Sequence, residues 1–253
     1  MSSLAIALIV FLCVFVSGLL GLVIRMCLPS HHLREESMGI VKHGTGLIAT
    51  LAALVLGLMI ASAKASFDTI KSEVGQMAVR VVQLDRVLAH YGPETKETRE
   101  LLQRVIASAI EVIFSDEGTG QARMDTPERL ARIEDIQAKL RDLAPRTDAQ
   151  RVLQARATEL VKELLHMRWL LIVEAESAIP TLFLVVLVFW LAFIFAGFGL
   201  LSANNTTVVA IMIVCALSVS GAIFLIGEMD RPLDGLIKVS SAPLRNALAH
   251  LGQ

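Results

Sequence analysis

Charged side chains are missing from three long stretches of this 253-residue chain. Residues 4–24, 44–63 and 177–227 contain no Asp, Glu, Lys or Arg, whereas residues 64–176 hold 36 of the 47 charged side chains. A helix of about 20 apolar residues spans the hydrocarbon core of a bilayer, and the third stretch is long enough for two such helices. The sequence therefore predicts an all-α integral membrane protein with four transmembrane helices in two hairpins and a soluble helical insert between helices 2 and 3.

Other scarcities argue against whole classes of function. The chain has three cysteines, which lie singly in or beside the apolar stretches, where they are expected to be small apolar side chains rather than disulfides or metal ligands. Its six histidines are scattered, and there is no H-E-x-x-H motif, Walker loop or nucleophile elbow. A net charge of −1 argues against a nucleic-acid partner. We therefore expect no enzymatic activity, no cofactor and no metal.

The charge pattern divides the chain into four parts. Residues 1–63 are expected to form a transmembrane hairpin with spans at about 4–24 and 44–63. Residues 64–176 form the helical insert, residues 177–227 the second hairpin and residues 228–253 a C-terminal tail. Eight basic residues lie near the span ends on the side of the termini and the insert, against three on the opposite side. The positive-inside rule then places the termini and the insert in the cytoplasm.

The second span carries small side chains at every third or fourth position. They form one narrow helical face and are, in order, Gly46, Thr50, Ala53, Gly57 and Ala61. In a membrane such a face either allows another helix backbone to approach closely or lines a pore when several copies surround an axis. Both interpretations are consistent with the sequence.

No helix breaker follows this span until Tyr91-Gly92-Pro93. We therefore predict one helix of about 47 residues, roughly 70 Å long, that begins near Gly44. Beyond the membrane it carries an apolar seam with the spacing of a coiled coil, formed by Phe67, Ile70, Val74, Met77, Val81, Leu84 and Leu88.

Charged residues lie where this helix leaves the membrane. Lys64 and Asp68 are one turn apart, and Glu73 follows. Around a shared axis these residues would form rings of charge; alternatively, Lys64 is a lysine that extends from the membrane toward water and pairs with Asp68.

A second polar segment follows the fourth span. It contains Asp230, Arg231, Pro232 and Gly235, and Pro232 prevents the helix from continuing. The segment is interpreted either as a structural clasp onto the insert or as a ligand site.

This segment also carries a family resemblance. Residues 228–244, E-M-D-R-P-L-D-G-L-I-K-V-S-S-A-P-L, are similar to the C-terminal signature of the bestrophin-like family, once catalogued as a domain of unknown function. Residues 57–64, G-L-M-I-A-S-A-K, and residues 84–94 also resemble that family, and the similarity covers about residues 40–250.

The resemblance implies a function. The family is grouped with bestrophins, which are pentameric anion channels whose second transmembrane helix lines the pore. It therefore implies a homo-oligomer that conducts inorganic anions, with the small-residue face as pore wall and Lys64 attracting anions at the mouth. This chain lacks the aromatic constriction of bestrophins, so Leu47, Leu54 or Leu58 would have to form a gate. The alternative is a non-conducting membrane scaffold or signal relay, in which the seam of residues 67–88 docks a partner.

Overall fold

The computed structural model describes residues 2–29, 35–114, 127–175, 181–202, 205–233 and 235–252, and all its regular structure in these ranges is helical. Eight α-helices occur there, with a short 3₁₀ turn at Pro93–Thr95 between the second and third. They are α1 (Ser3–Cys27), α2 (Glu35–Tyr91), α3 (Lys96–Ile113), α4 (Pro127–Asp142), α5 (Asp148–Ala175), α6 (Thr181–Leu201), α7 (Thr206–Met229) and α8 (Ala242–His250).

The predicted membrane spans are present. Helices α1, α6 and α7 and the N-terminal part of α2 are each long and apolar enough to cross a bilayer. The all-α membrane architecture predicted from the charge pattern is thus confirmed.

Local chemistry explains where several helices begin and end. The Ser2 side chain accepts a hydrogen bond from the backbone N–H of Ala5 at 3.2 Å and caps α1. Asn205 caps α7 in the same way, accepting from the N–H of Val208 at 3.0 Å. Gly92, with a φ of 136°, allows the chain to turn after α2, in a conformation that residues with a side chain rarely adopt.

The chain divides into two compact units. Residues 1–65 and 178–230 form the membrane unit, and residues 66–177 and 231–253 form the soluble unit. Helix α2 contributes residues to both.

In the membrane unit, α1 packs against both α6 and α7. The contact with α6 is close because glycines face each other there. A Cβ atom on Gly199 of α6 would overlap the carbonyl oxygen of Gly18 and lie 2.7 Å from the backbone nitrogen of Leu22. A Cβ on Gly21 of α1 would overlap the backbone of Ala196. The two backbones can approach this closely only because these positions carry no side chain.

In the soluble unit, α3 packs against α4 and α8, and α4 packs against α5. A single apolar core joins these helices to the C-terminal part of α2. The seam predicted on α2 lies inside this core. Ile70, Val74, Val81, Leu84 and Leu88 are buried, and Phe67 and Met77 pack against them.

Two features of the helices differ from the sequence-based expectation. Helix α2 has 57 residues and begins at Glu35, so Gly44 and Gly46 lie within it rather than at its start. Residues 35–43 contain no proline, and good helix formers such as Lys42 extend the helix. Helix α8 was not anticipated in the C-terminal tail, although Pro243 in its first turn and the buried Leu244 and Ala247 are typical of an amphipathic helix.

The candidate pore-lining face of helix α2

The membrane segment of helix α2 has one face that packs against the other helices of the membrane unit and another face that is exposed. Ala52, Met59 and Ala63 are buried in the apolar core that this segment forms with α1, α6 and α7. The small residues predicted to line a pore, Gly46, Thr50, Ala53 and Gly57, are all exposed. Within the subunit, therefore, the small-residue face is not the surface by which α2 packs against the other helices.

The glycines of this face have open space around them. Among the residues that the structure describes, a Cβ atom added to Gly46 or Gly57 would meet no atom within 4 Å outside its own helical surroundings. By contrast, a Cβ on Gly197 of α6 would lie 2.6 Å from the Thr45 hydroxyl oxygen. Close helix packing within the subunit thus explains Gly197 but not Gly46 or Gly57, which leaves another copy, lipid or an aqueous lumen to cover the exposed face.

Thr50 supplies the hydroxyl of this face. Its Oγ1 donates a hydrogen bond to the carbonyl oxygen of Gly46 at 3.0 Å. The proton is therefore directed along the helix, while the lone pairs of the oxygen remain available as acceptors.

A ridge of leucines runs beside the small-residue face. Leu47, Leu54 and Leu58 are exposed by 65%, 60% and 62% of their surface. At 100° per residue this ridge is centred about 90° around the helix from the small-residue face. Large apolar side chains and small ones thus stand side by side on the part of α2 that its own subunit leaves uncovered.

The three charged residues of α2 that the sequence singled out lie C-terminal to this face. Lys64 is exposed at the end of the membrane segment, while Asp68 is exposed and Glu73 is half-buried in the soluble unit. Each of the three interacts with at least one other group in the structure.

The segment after α7 is organised by backbone hydrogen bonds. The N–H of Gly235 donates to the carbonyl of Arg231 at 2.9 Å, and the N–H of Val239 donates to the carbonyl of Pro232 at 2.8 Å. Pro232 is buried, Asp230 is half-buried and Arg231 is exposed. These bonds give the segment a structural function in the turn; the proposed clasp onto the insert stays a prediction.

Among the residues whose placement the structure describes, no three His, Cys, Asp or Glu side chains are grouped so that they could hold a metal ion.

The sequence profile of the Bestrophin-like domain matches residues 10–244, nearly the whole chain. The chain belongs to the bestrophin-like family. The resemblance noted in its C-terminal segment and its second span is thus confirmed.

Solved structures share the fold of this bestrophin-like chain. One crystal structure of a bacterial bestrophin homolog from Klebsiella pneumoniae, a single-substitution variant, has a TM-score of 0.69 at 15% identity and covers 100% of this chain and 99% of that chain. A second variant has a TM-score of 0.67 at 14% identity and covers 98% and 99%. At this identity the likeness establishes the fold alone. No curated protein matches the sequence.

The soluble unit of the bestrophin-like chain contains an ion pair that sequence reasoning missed. Asp85 on α2 is 1% exposed, and its carboxylate accepts two hydrogen bonds from Arg99 on α3, Nε to Oδ1 at 2.7 Å and Nη2 to Oδ2 at 2.8 Å. The bond to Asp85 raises the pKa of the Arg99 guanidinium. The N–H of Gly252 also donates to Asp85, at 3.3 Å. The 14-residue separation of Asp85 and Arg99 matches no local helical spacing, so the pair leaves no signal in the sequence.

Proposed function

We propose that this protein is an oligomeric ion channel of the bacterial inner membrane that conducts inorganic anions passively, with helix α2 of each subunit lining the pore. The termini and the helical insert face the cytoplasm. The ring size that the family resemblance suggests is five.

The observation that carries this proposal is the exposed small-residue face of α2. Family membership supports a membrane channel in general, and the open space around Gly46 and Gly57 suggests where several subunits meet a common axis. Small side chains at such an axis keep the lumen wide, because they place little volume between the helix backbones.

Along this wall the residues would differ in function. Gly46, Ala53 and Gly57 leave space for a hydrated ion, and the Thr50 hydroxyl oxygen accepts hydrogen bonds from water molecules in the hydration shell of that ion. The neighbouring Leu47, Leu54 and Leu58 are the candidates for an apolar constriction that closes by losing its water.

Lys64 would set the preference for anions. A unit charge about 4 Å away contributes roughly 1 kcal/mol in bulk water and several times more where the dielectric constant is lower. Several copies of Lys64 around a pore mouth would therefore concentrate anions and repel cations. Asp68 and Glu73, which follow in the soluble unit, would form further rings of charge. Asp230, Arg231, Pro232 and Gly235 would hold the turn after α7.

The first test is the mass of the detergent-solubilised particle, measured by light scattering with correction for bound detergent. A pore lined by one helix per subunit needs several subunits around an axis, and a pentamer is expected. A monomer or a dimer would leave no such axis and would refute the proposal.

The second test measures ion flux in liposomes. The wild-type protein is expected to conduct anions better than cations, and Lys64→Glu is expected to lower the anion-to-cation permeability ratio by about tenfold or more, because each subunit then exchanges a positive for a negative charge. Lys162→Glu is the matched control, because Lys162 is an exposed lysine on α5. Equal effects of the two substitutions, or no flux above empty vesicles, would refute the proposal.

A non-conducting scaffold or signal relay is the alternative. In the form expected from the sequence it docks a partner through the seam of residues 67–88. Because five of the seven seam side chains are buried in the soluble unit, that surface is not open to a partner, and a scaffold would have to use another one.

A further inference from the structure

The soluble unit contains a cavity of about 100 Å³ that no part of the channel proposal uses. It lies among α2, α3, α4 and α5, each of which contributes side chains to its wall. Most of the wall is aliphatic, with Leu84, Leu102, Ile106, Ile136 and Leu171 among the described lining residues. A wall of this kind favours an apolar ligand, and Met77, which also lines it, can adapt to the shape of that ligand.

The aliphatic part of the cavity has few polar groups that could form hydrogen bonds with water. A buried water molecule needs two to four polar partners. Ser108 lines the cavity, but its hydroxyl donates to the carbonyl oxygen of Val105 within its own helix at 3.0 Å. An apolar chain would therefore fill this space without displacing well-bound water.

The charge at the cavity has one sign. Among the described lining residues the charged ones are Arg132 on α4 and Arg168 on α5. Arg132 is exposed and Arg168 is half-buried. Because Arg132 is the exposed one of the two, a ligand whose polar end reaches solvent would place that end near Arg132, where an anionic group is favoured and a cationic group is repelled.

We propose that this cavity binds a short-chain carboxylate. A cavity of about 150 Å³ holds benzene, so one of about 100 Å³ has space for an alkyl chain of roughly four carbons, as in pentanoate. This chain lies among the aliphatic side chains of α2, α3 and α5, and the carboxylate pairs with Arg132. All the described lining residues belong to the soluble unit, so the proposal does not depend on whether the protein conducts ions.

The test uses the full chain in nanodiscs of zwitterionic phospholipid, with pentanoate labelled with ¹³C at its carboxyl carbon as the probe. At about pH 8 this carboxyl group is ionised. The wild-type protein is expected to show a saturable carboxyl resonance of one pentanoate per chain, distinct from the resonance in empty nanodiscs. Pentanol and pentyltrimethylammonium are expected to compete at least about tenfold less well, because they lack the negative charge.

Substitutions at two lining positions test the contacts of the carboxylate and of the alkyl chain separately. Arg132→Gln is expected to weaken pentanoate binding about tenfold, whereas Arg141→Gln, which changes an exposed arginine on the same helix outside the cavity, leaves it unchanged. Ala109→Phe fills the cavity and is expected to abolish the saturable signal; Ala109→Leu fills less and is expected to weaken binding. Circular dichroism is used to check that each variant is folded.

Three outcomes would overturn the proposal. Wild-type protein without a saturable signal above empty nanodiscs would show that the cavity takes no such ligand. Folded Ala109→Phe or Ala109→Leu protein that binds pentanoate like wild type would place the binding elsewhere, at the bilayer surface or on another part of the chain. Equal weakening by Arg132→Gln and Arg141→Gln would mean that general surface charge, rather than this arginine, attracts the probe.

Discussion

Replacing Gly199 with alanine tests the close contact between helices α1 and α6 in the membrane unit. Its Cβ atom would overlap the carbonyl oxygen of Gly18 and lie 2.7 Å from the nitrogen of Leu22, whereas ordinary van der Waals contact begins at 3.4 Å. All these neighbours are backbone atoms, so no side-chain rotation relieves the overlap. Helices α1 and α6 therefore have to separate by roughly 1 Å.

The cost of this separation follows from dispersion. On the order of 40 atom pairs at about 0.15 kcal/mol each give a contact energy of roughly 6 kcal/mol, of which a gap of this size removes a quarter to a half. The loss is about 1.5–3 kcal/mol, in the range measured for overpacked cores. Helix propensity returns up to about 1 kcal/mol, because alanine is a better helix former than glycine. We expect Gly199→Ala to destabilise the membrane unit by about 1–2 kcal/mol.

Gly221→Ala in α7 is the matched control. A Cβ atom at Gly221 would meet no atom of the described part of the chain within 4 Å, so only the propensity gain of up to about 1 kcal/mol remains. Unfolding of the full chain is measured by raising the SDS fraction in mixed micelles. The reporter is the fluorescence of Trp190, which packs against the membrane core, in a background where Trp169 is replaced by phenylalanine. Equal midpoints for the two alanine variants, or a higher midpoint for Gly199→Ala, would refute the close contact between α1 and α6.

Two further predictions concern the soluble unit. Asp85→Asn is expected to destabilise it by about 3 kcal/mol in thermal unfolding, because the change leaves the largely buried Arg99 without its carboxylate. The control, Asp148→Asn, changes a side chain that is 94% exposed and should alter the stability little. A similar loss of stability in both variants would contradict this reasoning. The hydrogen bond and charge of Lys139 lower the pKa of Glu97 from 4.5, so the stability that this pair adds is present above pH 4.5 and is lost as the pH falls through the lowered pKa. Glu97→Gln should therefore lower the thermal midpoint slightly at neutral pH and not at pH values below that pKa, and a pH-independent difference would rule this out.

The family and the membrane architecture could be recognised from the sequence because they depend on local patterns. The number of membrane helices follows from the length of each uncharged run, because about 20 apolar residues are needed to span a bilayer. The end of α2 was also predictable, since Gly92 and Pro93 act within one turn of the helix.

The start of α2 and the presence of α8 could not be predicted as well from the sequence. The sequence carries no clear breaker between residues 35 and 44, so the apolar run alone placed the start of the helix too late. Helix α8 is too short to be stable by itself, and it depends on the core against which Leu244 and Ala247 pack.

The sequence by itself determined which residues of α2 share a face, because 3.6 residues per turn fix that relation without any neighbour. Only the tertiary structure decided what each face meets. The seam containing Val74 and Leu84 had the spacing of a docking surface, and the structure buries it in the core of its own subunit. The face with Gly46 and Gly57 had the spacing of a packing surface, and the structure leaves it uncovered. Periodicity specifies a direction on a helix, whereas burial depends on which distant helices come to lie there.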